Sequence, residues 1–349
     1  MIGQVMKNSA LYAKVHSMYG KMLSDNDYNM MMNMTSVPSI AEYLAENTSY
    51  KRIIDRTSVS NIHRTQLEQM LRDNLKADAE RLRPYINDNA RKFMGIVAIE
   101  DSISKLKVSL RLIHIGHNEN LSEYLNKIPQ VNTKEISGIK SVDDLISALS
   151  ATPYYEPLKF FLGKPEGQIP FYMEMALDNY WARLVYKYAK KYLSSDEVKM
   201  VNKIYGTEFD LENLSFLLRC KKNFDMTDDE IYASIIPKYY RLKEAVISQI
   251  VKAATYGEAI HIIKEQTPYG NAFSEEDRFI ERRQIEYLAK MNKHMFNSAG
   301  YTLQSPICYV HLRRIEIDNI VSIIEGIRYG LEPDKISGYL IGYGKGGRP

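Results

Sequence analysis

Apolar positions recur at helical spacing along nearly the whole chain. Residues 60–92 predict one long charged helix with Leu67, Leu71 and Leu75 on a single stripe. Residues 172–205 predict another, on which Trp181, Leu184, Val185, Tyr188 and Tyr192 follow the i, i+3/i+4, i+7 rule. A third is predicted over 275–297, with Phe279, Ile280, Tyr287, Leu288 and Met291 apolar. Alternating, strand-like segments are nearly absent, so the expected class is all-α. Breaks are expected where Pro and Gly gather: Thr152-Pro153, Gly163-Lys-Pro165, Gly167-Gln-Ile-Pro170, Ile236-Pro237 and Thr267-Pro268. Proline disfavours the α conformation in the residue before it, so each Thr-Pro reads as a helix stop.

The helical pattern repeats. Three apolar stretches end in Thr-x-Tyr: Thr48-Ser49-Tyr50, Thr152-Pro153-Tyr154 and Thr267-Pro268-Tyr269. Four and seven residues before each Thr the side chain is apolar: Leu44 and Ala41, Ala148 and Leu145, Ile263 and Ile260. A second block, an apolar helix ending in Arg, runs Lys105 to Arg111, Asn213 to Arg219 and Asn319 to Arg328. After the last two Arg residues, Met226-Thr-Asp-Asp-Glu-Ile231 and Leu331-Glu-Pro-Asp-Lys-Ile336 read as a turn and a second helix start. Copy one offers only the looser Asn120-Leu-Ser-Glu-Tyr124. The two kinds of block alternate, leaving the first Thr block and the last Arg block without sequence partners. If those two pack together, the N- and C-terminal segments meet and a closed arrangement results. The units expected are 1–128, 129–239 and 240–349.

Composition narrows the chemistry. The 46 basic and 43 acidic residues give a net charge of +3. So near a balance argues against a dedicated nucleic-acid surface. Two cysteines, Cys220 and Cys308, form no Cys-x-x-Cys pair and indicate neither a zinc site nor a disulfide framework, which fits a reducing compartment. No window approaches a membrane span, and no secretory signal pattern stands at the N-terminus. The Met30-Met31-Met32-Asn33-Met34 cluster reads as a buried helix in preference to an adaptable binding surface. The 26 tyrosines suit half-buried interfaces and equally suit a tyrosine-rich core.

Candidate catalytic motifs do not hold. His114-Ile-Gly-His117 spells a tetrapeptide of class I aminoacyl-tRNA synthetases, but no parallel-sheet pattern surrounds it. The same pair lacks the third ligand a metal would need. Asp143-Asp144 and Asp228-Asp229 do not extend into the Asp-Asp-x-x-Asp run of a diphosphate-binding helix. No nucleophile setting or Gly-rich phosphate loop is present. No catalytic, cofactor-binding or metal-binding residue is assigned. The candidate structural or interface positions are the repeated ones: Thr48, Thr152, Thr267, Arg111, Arg219 and Arg328. The arginines read first as snorkelling onto helix-end carbonyls, and second as inward-facing partner contacts.

Several segments together resemble one family. They are Tyr12-Ala-Lys-Val15, Lys21-Met-Leu-Ser-Asp-Asn-Asp-Tyr28 and Ile40-Ala-Glu-Tyr-Leu-Ala-Glu-Asn-Thr-Ser-Tyr50 near the start. Asp210-Leu-Glu-Asn-Leu-Ser-Phe-Leu-Leu-Arg-Cys-Lys221 follows in mid-chain, and Glu316-Ile-Asp-Asn-Ile-Val-Ser-Ile-Ile-Glu-Gly-Ile-Arg-Tyr-Gly330 near the end. In order and spacing they are similar to the C subunit of A-type and bacterial V-type rotary ATPases, called the d subunit in eukaryotes. The resemblance implies three similar helical domains about a pseudo-threefold axis, forming a funnel with a central cavity. It implies a non-catalytic, cofactor-free part of the central rotor, peripheral on the cytoplasmic face of the membrane. Its partners would be the membrane rotor ring and the central-stalk subunits. Such a socket predicts polar and charged side chains from all three units lining the hollow. The alternative reading is a generic α-helical scaffold or adaptor; a third is an all-α enzyme with an unrecognised pocket. The departures are copy one's Arg block and the Gly-rich tail from Gly342.

Overall fold

The computed structural model describes residues 2–54, 56–131, 136–164, 169–223, 226–274, 280–300 and 302–344. These are α-helices, short 3-10 turns and connections, with no strand among the described residues. The all-α expectation holds. Contacts divide the chain into two compact units. One comprises Met1–Met94, Lys199–Ile204 and Asn271–Pro349; the other comprises Gly95–Val198 and Tyr205–Gly270.

The first unit is organised by the helix Gln304–Arg328. It packs against Ile2–Tyr19, Arg64–Leu82 and Ile280–Asn297, and its sides also meet the short helices Asp25–Met32, Val37–Asn47 and Pro333–Ser337. Ile307, Cys308, Leu312, Ile320, Ile323 and Ile324 are all almost completely buried. A helix covered on so many sides must be apolar around most of its circumference, which is why this stretch lacks the one-sided stripe of a surface helix. Through it the N-terminal and C-terminal segments share one core.

In the second unit the helices Ile96–His114 and Ile169–Tyr192 lie against each other, and Glu244–Lys252 packs on Tyr256–Gln266. Leu106, Leu110, Leu177, Val185, Ile250 and Ile260 fill the contacts.

Two predicted helices are each divided, for local reasons. The 60–92 stretch holds the helices Arg64–Leu82 and Asp88–Met94, with a 3-10 turn at Arg83–Tyr85 between them. Pro84 lies in that turn, where it has no N–H to give a continuing helix. The 172–205 stretch is cut between Tyr192 and Ser195. There Ser194 accepts from the Glu197 N–H, and the Glu197 carboxylate accepts from Ser194 N–H and Oγ at 2.9 and 2.7 Å. That reciprocal capping box starts a new helix, Ser195–Asn223. The third predicted helix is observed as Ile280–Asn297, and its expected start at 275–279 lies outside the described residues. In the methionine cluster Met31 and Met32 are buried, while Met30 is exposed.

Candidate functional site: repeated tyrosine latches and helix corners

The Thr-x-Tyr block has one job three times over. Thr48 donates from Oγ1 to the Leu44 carbonyl at 2.7 Å, and Thr267 donates to the Ile263 carbonyl at 2.7 Å. Thr152 donates to the Leu149 carbonyl at 2.8 Å. Each Oγ1 also accepts from the tyrosine N–H two residues on, at 3.1 to 3.2 Å. The threonine therefore closes its helix by satisfying an end carbonyl and turning the chain. This explains how copy one stops without a proline: threonine is the common device, and the prolines of copies two and three are additions to it. The same three helices also begin alike, on the side chains of Ser36, Ser141 and Thr255.

The turn delivers each tyrosine to a long helix. Tyr269 is buried and its hydroxyl donates to Asp210 Oδ2 at 2.7 Å. Asp210 also accepts the backbone N–H groups of Tyr240, Arg241 and Leu242 at 3.0, 2.7 and 2.9 Å. In the other unit Tyr50 is fully buried and donates to Glu316 Oε1 at 3.0 Å, and Glu316 Oε2 accepts the Leu23 N–H at 2.6 Å. Tyr154 is buried too, and its hydroxyl lies beside the Ser102 side chain, a neutral partner in place of a carboxylate. Three residues after the acid, an asparagine clamps a returning stretch of backbone. Asn213 Nδ2 donates to the Ile236 carbonyl at 3.0 Å and its Oδ1 accepts the Ile236 N–H at 2.8 Å. Asn319 does the same to Ile341, at 3.0 and 2.8 Å.

These bonds fix the register of the repeat. Asp210 and Asn213 correspond to Glu316 and Asn319. The corner after the helix adds copy one. Ile115 N–H donates to Arg111 O, Gly116 N–H to Ile113 O, and His117 N–H to Leu112 O. Tyr329, Gly330 and Leu331 donate to Glu325, Ile327 and Gly326 in the same pattern, at 2.9 to 3.0 Å. Gly116 and Gly330 both adopt positive φ, 78° and 66°, so both corners are Schellman turns. Ser102 and Lys105 of copy one then stand where Asp210 and Asn213 stand in copy two, and Arg111 corresponds to Glu325. Arg328 lies one turn beyond the position of Arg111 and Arg219. Spacing counted back from the arginines hid this shift; the acid and asparagine carry the register.

Glu316 sits in a buried charged network. Arg313 pairs with Glu316 and approaches Asp78 at 3.4 Å, while Tyr309 donates to Asp78 at 2.6 Å. The Arg313 guanidinium lies 4.3 Å from the centre of the Tyr50 ring. Burial pushes Glu316 above the usual carboxylate range, and the charge of Arg313 opposes that shift. His311, buried on the same helix, is lowered to about 3 by burial, with the charge of Arg314 adding to the effect.

Other charged faces occur in each unit. Arg111 holds Glu174 with two bonds, of 2.7 and 2.6 Å, and Lys107 pairs with Asp178. Burial raises Asp178, and the nearby Lys107 charge lowers it. Burial, then the charge of Asp178, raises Glu212. In the first unit Arg72 bridges Glu68 and Asp318 at 3.0 and 3.3 Å, and Arg64 pairs with Glu325. Among the described residues no group of His, Cys, Asp and Glu is placed to hold a metal ion.

A family model described as ATP synthase (C/AC39) subunit matches residues 11–339. The chain belongs to the ATP synthase (C/AC39) subunit family. It is similar to the A-type ATP synthase C subunit of Methanosphaera stadtmanae, 23% identical over 90% of this chain and 83% of that protein. The corresponding A-type ATP synthase subunit of Methanocaldococcus jannaschii is 22% identical over 94% of this chain and 85% of its own length. That of Archaeoglobus fulgidus is 23% identical over 95% of both.

As a C/AC39 member the chain is a non-catalytic subunit of a rotary ATPase. No described helix is long and apolar enough to cross a membrane. The predicted positions fall into two environments. Thr152 is buried and Thr48 and Thr267 are half-buried at the latches. Arg111 and Arg328 are largely exposed near the corners, each facing a glutamate, Glu174 and Glu325 respectively. Arg219 is half-buried one turn before the end of the Ser195–Asn223 helix. Asp210, Glu316, Asn213 and Asn319 went unassigned, although the Asp/Glu-x-x-Asn spacing they share was visible in the segments that carry the resemblance.

Proposed function

We propose that this C/AC39 chain is the socket of the central rotor, coupling the central stalk to the membrane rotor ring during ion transport. It is built from three similar helical repeats, 1–128, 129–239 and 240–349, around a funnel-shaped hollow. It sits peripherally, on the cytoplasmic face of the membrane. The observation that carries the reading is the tyrosine latch made three times. Tyr154 reaches back to Ser102, Tyr269 to Asp210, and Tyr50, from the first block, to Glu316 in the last. A chain whose last repeat is completed by its first is suited to a closed, torsionally stiff body, as torque transfer requires. The charged faces that carry Asp178 and Glu212, and Arg72 and Asp318, suit a polar hollow that receives a stalk. Thr48, Thr152 and Thr267 hold the latches, and Arg111, Arg219 and Arg328 face the hollow or its rim.

Affinity purification of the tagged chain from native membranes tests this. The expected co-purifying proteins are the rotor ring and the central-stalk subunits, and the isolated chain hydrolyses no ATP. Recovery of unrelated partners without either would favour the scaffold reading, and saturable ATP hydrolysis by the isolated chain would sink the non-catalytic role.

A further inference from the structure

We infer that the two helix corners carrying Ile115 and Tyr329 are matched docking points for one kind of partner, the uncharged apolar loops of a ring of identical subunits. The inference rests on the rotor-ring reading above and adds which side chains make the contact.

Three observations converge on these corners. The first is equivalence. The two residues occupy the same place in the same turn: each is the helix C-cap, each N–H donates four residues back, and each precedes a glycine at positive φ. The second is exposure that folding does not require. Ile115 is 62% exposed and Tyr329 is 77% exposed. The hydrophobic contact of a Schellman turn is made one turn back and beyond the glycine, so the C-cap residue itself can be polar at no cost to the motif. A large apolar side chain there, twice, is unexplained by the fold. Nothing lies within 4 Å of where a Cβ on Gly116 or Gly330 would sit, so each turn is open on the side of its glycine.

The third observation is charge. Arg111 is held in two bonds by Glu174, Arg328 pairs with Glu325 at 3.2 Å, and the exposed His117 ring lies 3.1 Å from Glu119. The arginine beside each corner is matched within its own unit. The complementary surface is therefore uncharged and apolar, and an anionic lipid headgroup would find neither arginine free. A partner that meets the same apolar knob in two repeats must offer the same pocket more than once, as a ring of identical subunits does. Exposed anchors that become buried at an interface are the positions where truncation is most costly.

The experiment measures binding of the purified full chain to the detergent-solubilised rotor ring and, separately, to the central-stalk subunits. Ile115→Ser and Tyr329→Ser are each expected to weaken ring binding about tenfold, and the double variant about a hundredfold, because each side chain acts from its own turn. Stalk binding should stay within about twofold, and thermal melting should barely move for such exposed positions. Phe160→Ser is the control, since Phe160 is comparably exposed, at 71%, and belongs to neither corner turn. Unchanged ring affinity in the double variant, an equal loss in Phe160→Ser, or parallel loss of stalk binding would overturn the assignment. If the unaltered chain fails to bind the ring, the rotor-ring reading falls first, and that result is distinguishable because it needs no variant.

Discussion

The Tyr50 hydroxyl donates to Glu316 across 266 positions of sequence, tying the first Thr block to the last long helix. Glu316 is buried with Arg313 against it, so the tyrosine completes the solvation of a carboxylate that water cannot reach. Removing only the hydroxyl leaves that oxygen short of a donor. Tyr50→Phe and Tyr269→Phe should each lower unfolding stability by about 1–3 kcal/mol, the range for a buried bond to a charged group. Tyr154→Phe, whose partner is the neutral Ser102, should cost nearer ~1 kcal/mol. Urea titration followed by circular dichroism measures this, and equal costs at all three sites would show that the carboxylates are not what makes the latch strong.

The threonines make a second, separable prediction. Thr48→Val, Thr152→Val and Thr267→Val keep the shape but lose both bonds of Oγ1, and each should cost about 0.5–2 kcal/mol, as a lost cap does. Serine at the same positions should recover most of it. Pro153→Ala and Pro268→Ala should cost less than the matching threonine changes, because copy one ends its helix with Ser49 in that place. Thermal melts of these variants decide the order, and a proline change costing more than its threonine would overturn it.

How much of this was legible follows from what each pattern encodes. The all-α class could be read because helical periodicity survives in every long segment. The Thr-x-Tyr echo could be read because its cause is local, three or four residues back and two forward. The partners of the tyrosines could not, since Glu316 lies 266 residues from Tyr50 and nothing along the chain marks that distance. The arginines looked equivalent because each ends an apolar run, yet Arg111 corresponds to Glu325, and only the hydrogen bonds of the two corners reveal it. The divided helices were missed for smaller reasons. Pro84 and the Ser194–Glu197 box are ordinary local signals, overlooked inside long charged stretches whose apolar spacing continues across the break.

The asparagine clamps should tolerate no isostere. Asn213 and Asn319 each satisfy both an N–H and a carbonyl of one returning residue, Ile236 or Ile341. Asn319→Leu would leave both groups unpaired in a buried site, at about 1–3 kcal/mol apiece. Asn319→Asp keeps the acceptor for the Ile341 N–H but turns a carboxylate oxygen toward the Ile341 carbonyl, so it should be no milder than leucine. Copy one carries Lys105 at this place, where it pairs with Asp101, and Lys105→Asn should not create a third clamp. Denaturant unfolding checks the series, and a near-neutral Asn319→Asp would mean that the carbonyl bond matters little.

His311 gives the fold a pH dependence whose sign is fixed. Burial lowers its pKa to about 3 in the folded chain, against about 6.5 when unfolded. Between those values the unfolded chain binds a proton that the folded chain does not. The contribution of the neutral ring to stability is therefore complete above about pH 6.5 and is lost as pH falls toward 3. Glu316, raised by burial, acts in the opposite sense, because a protonated carboxyl is easier to bury. The total acid curve mixes these effects, so the informative quantity is the difference between the unaltered chain and His311→Gln, which cannot titrate. That difference should move in favour of the variant by up to ~1.4 kcal/mol per pH unit below about pH 6. Unfolding free energies measured at intervals from about pH 7.5 to about 4.5 give it directly, and parallel curves for the two proteins would mean that His311 takes up its proton without unfolding.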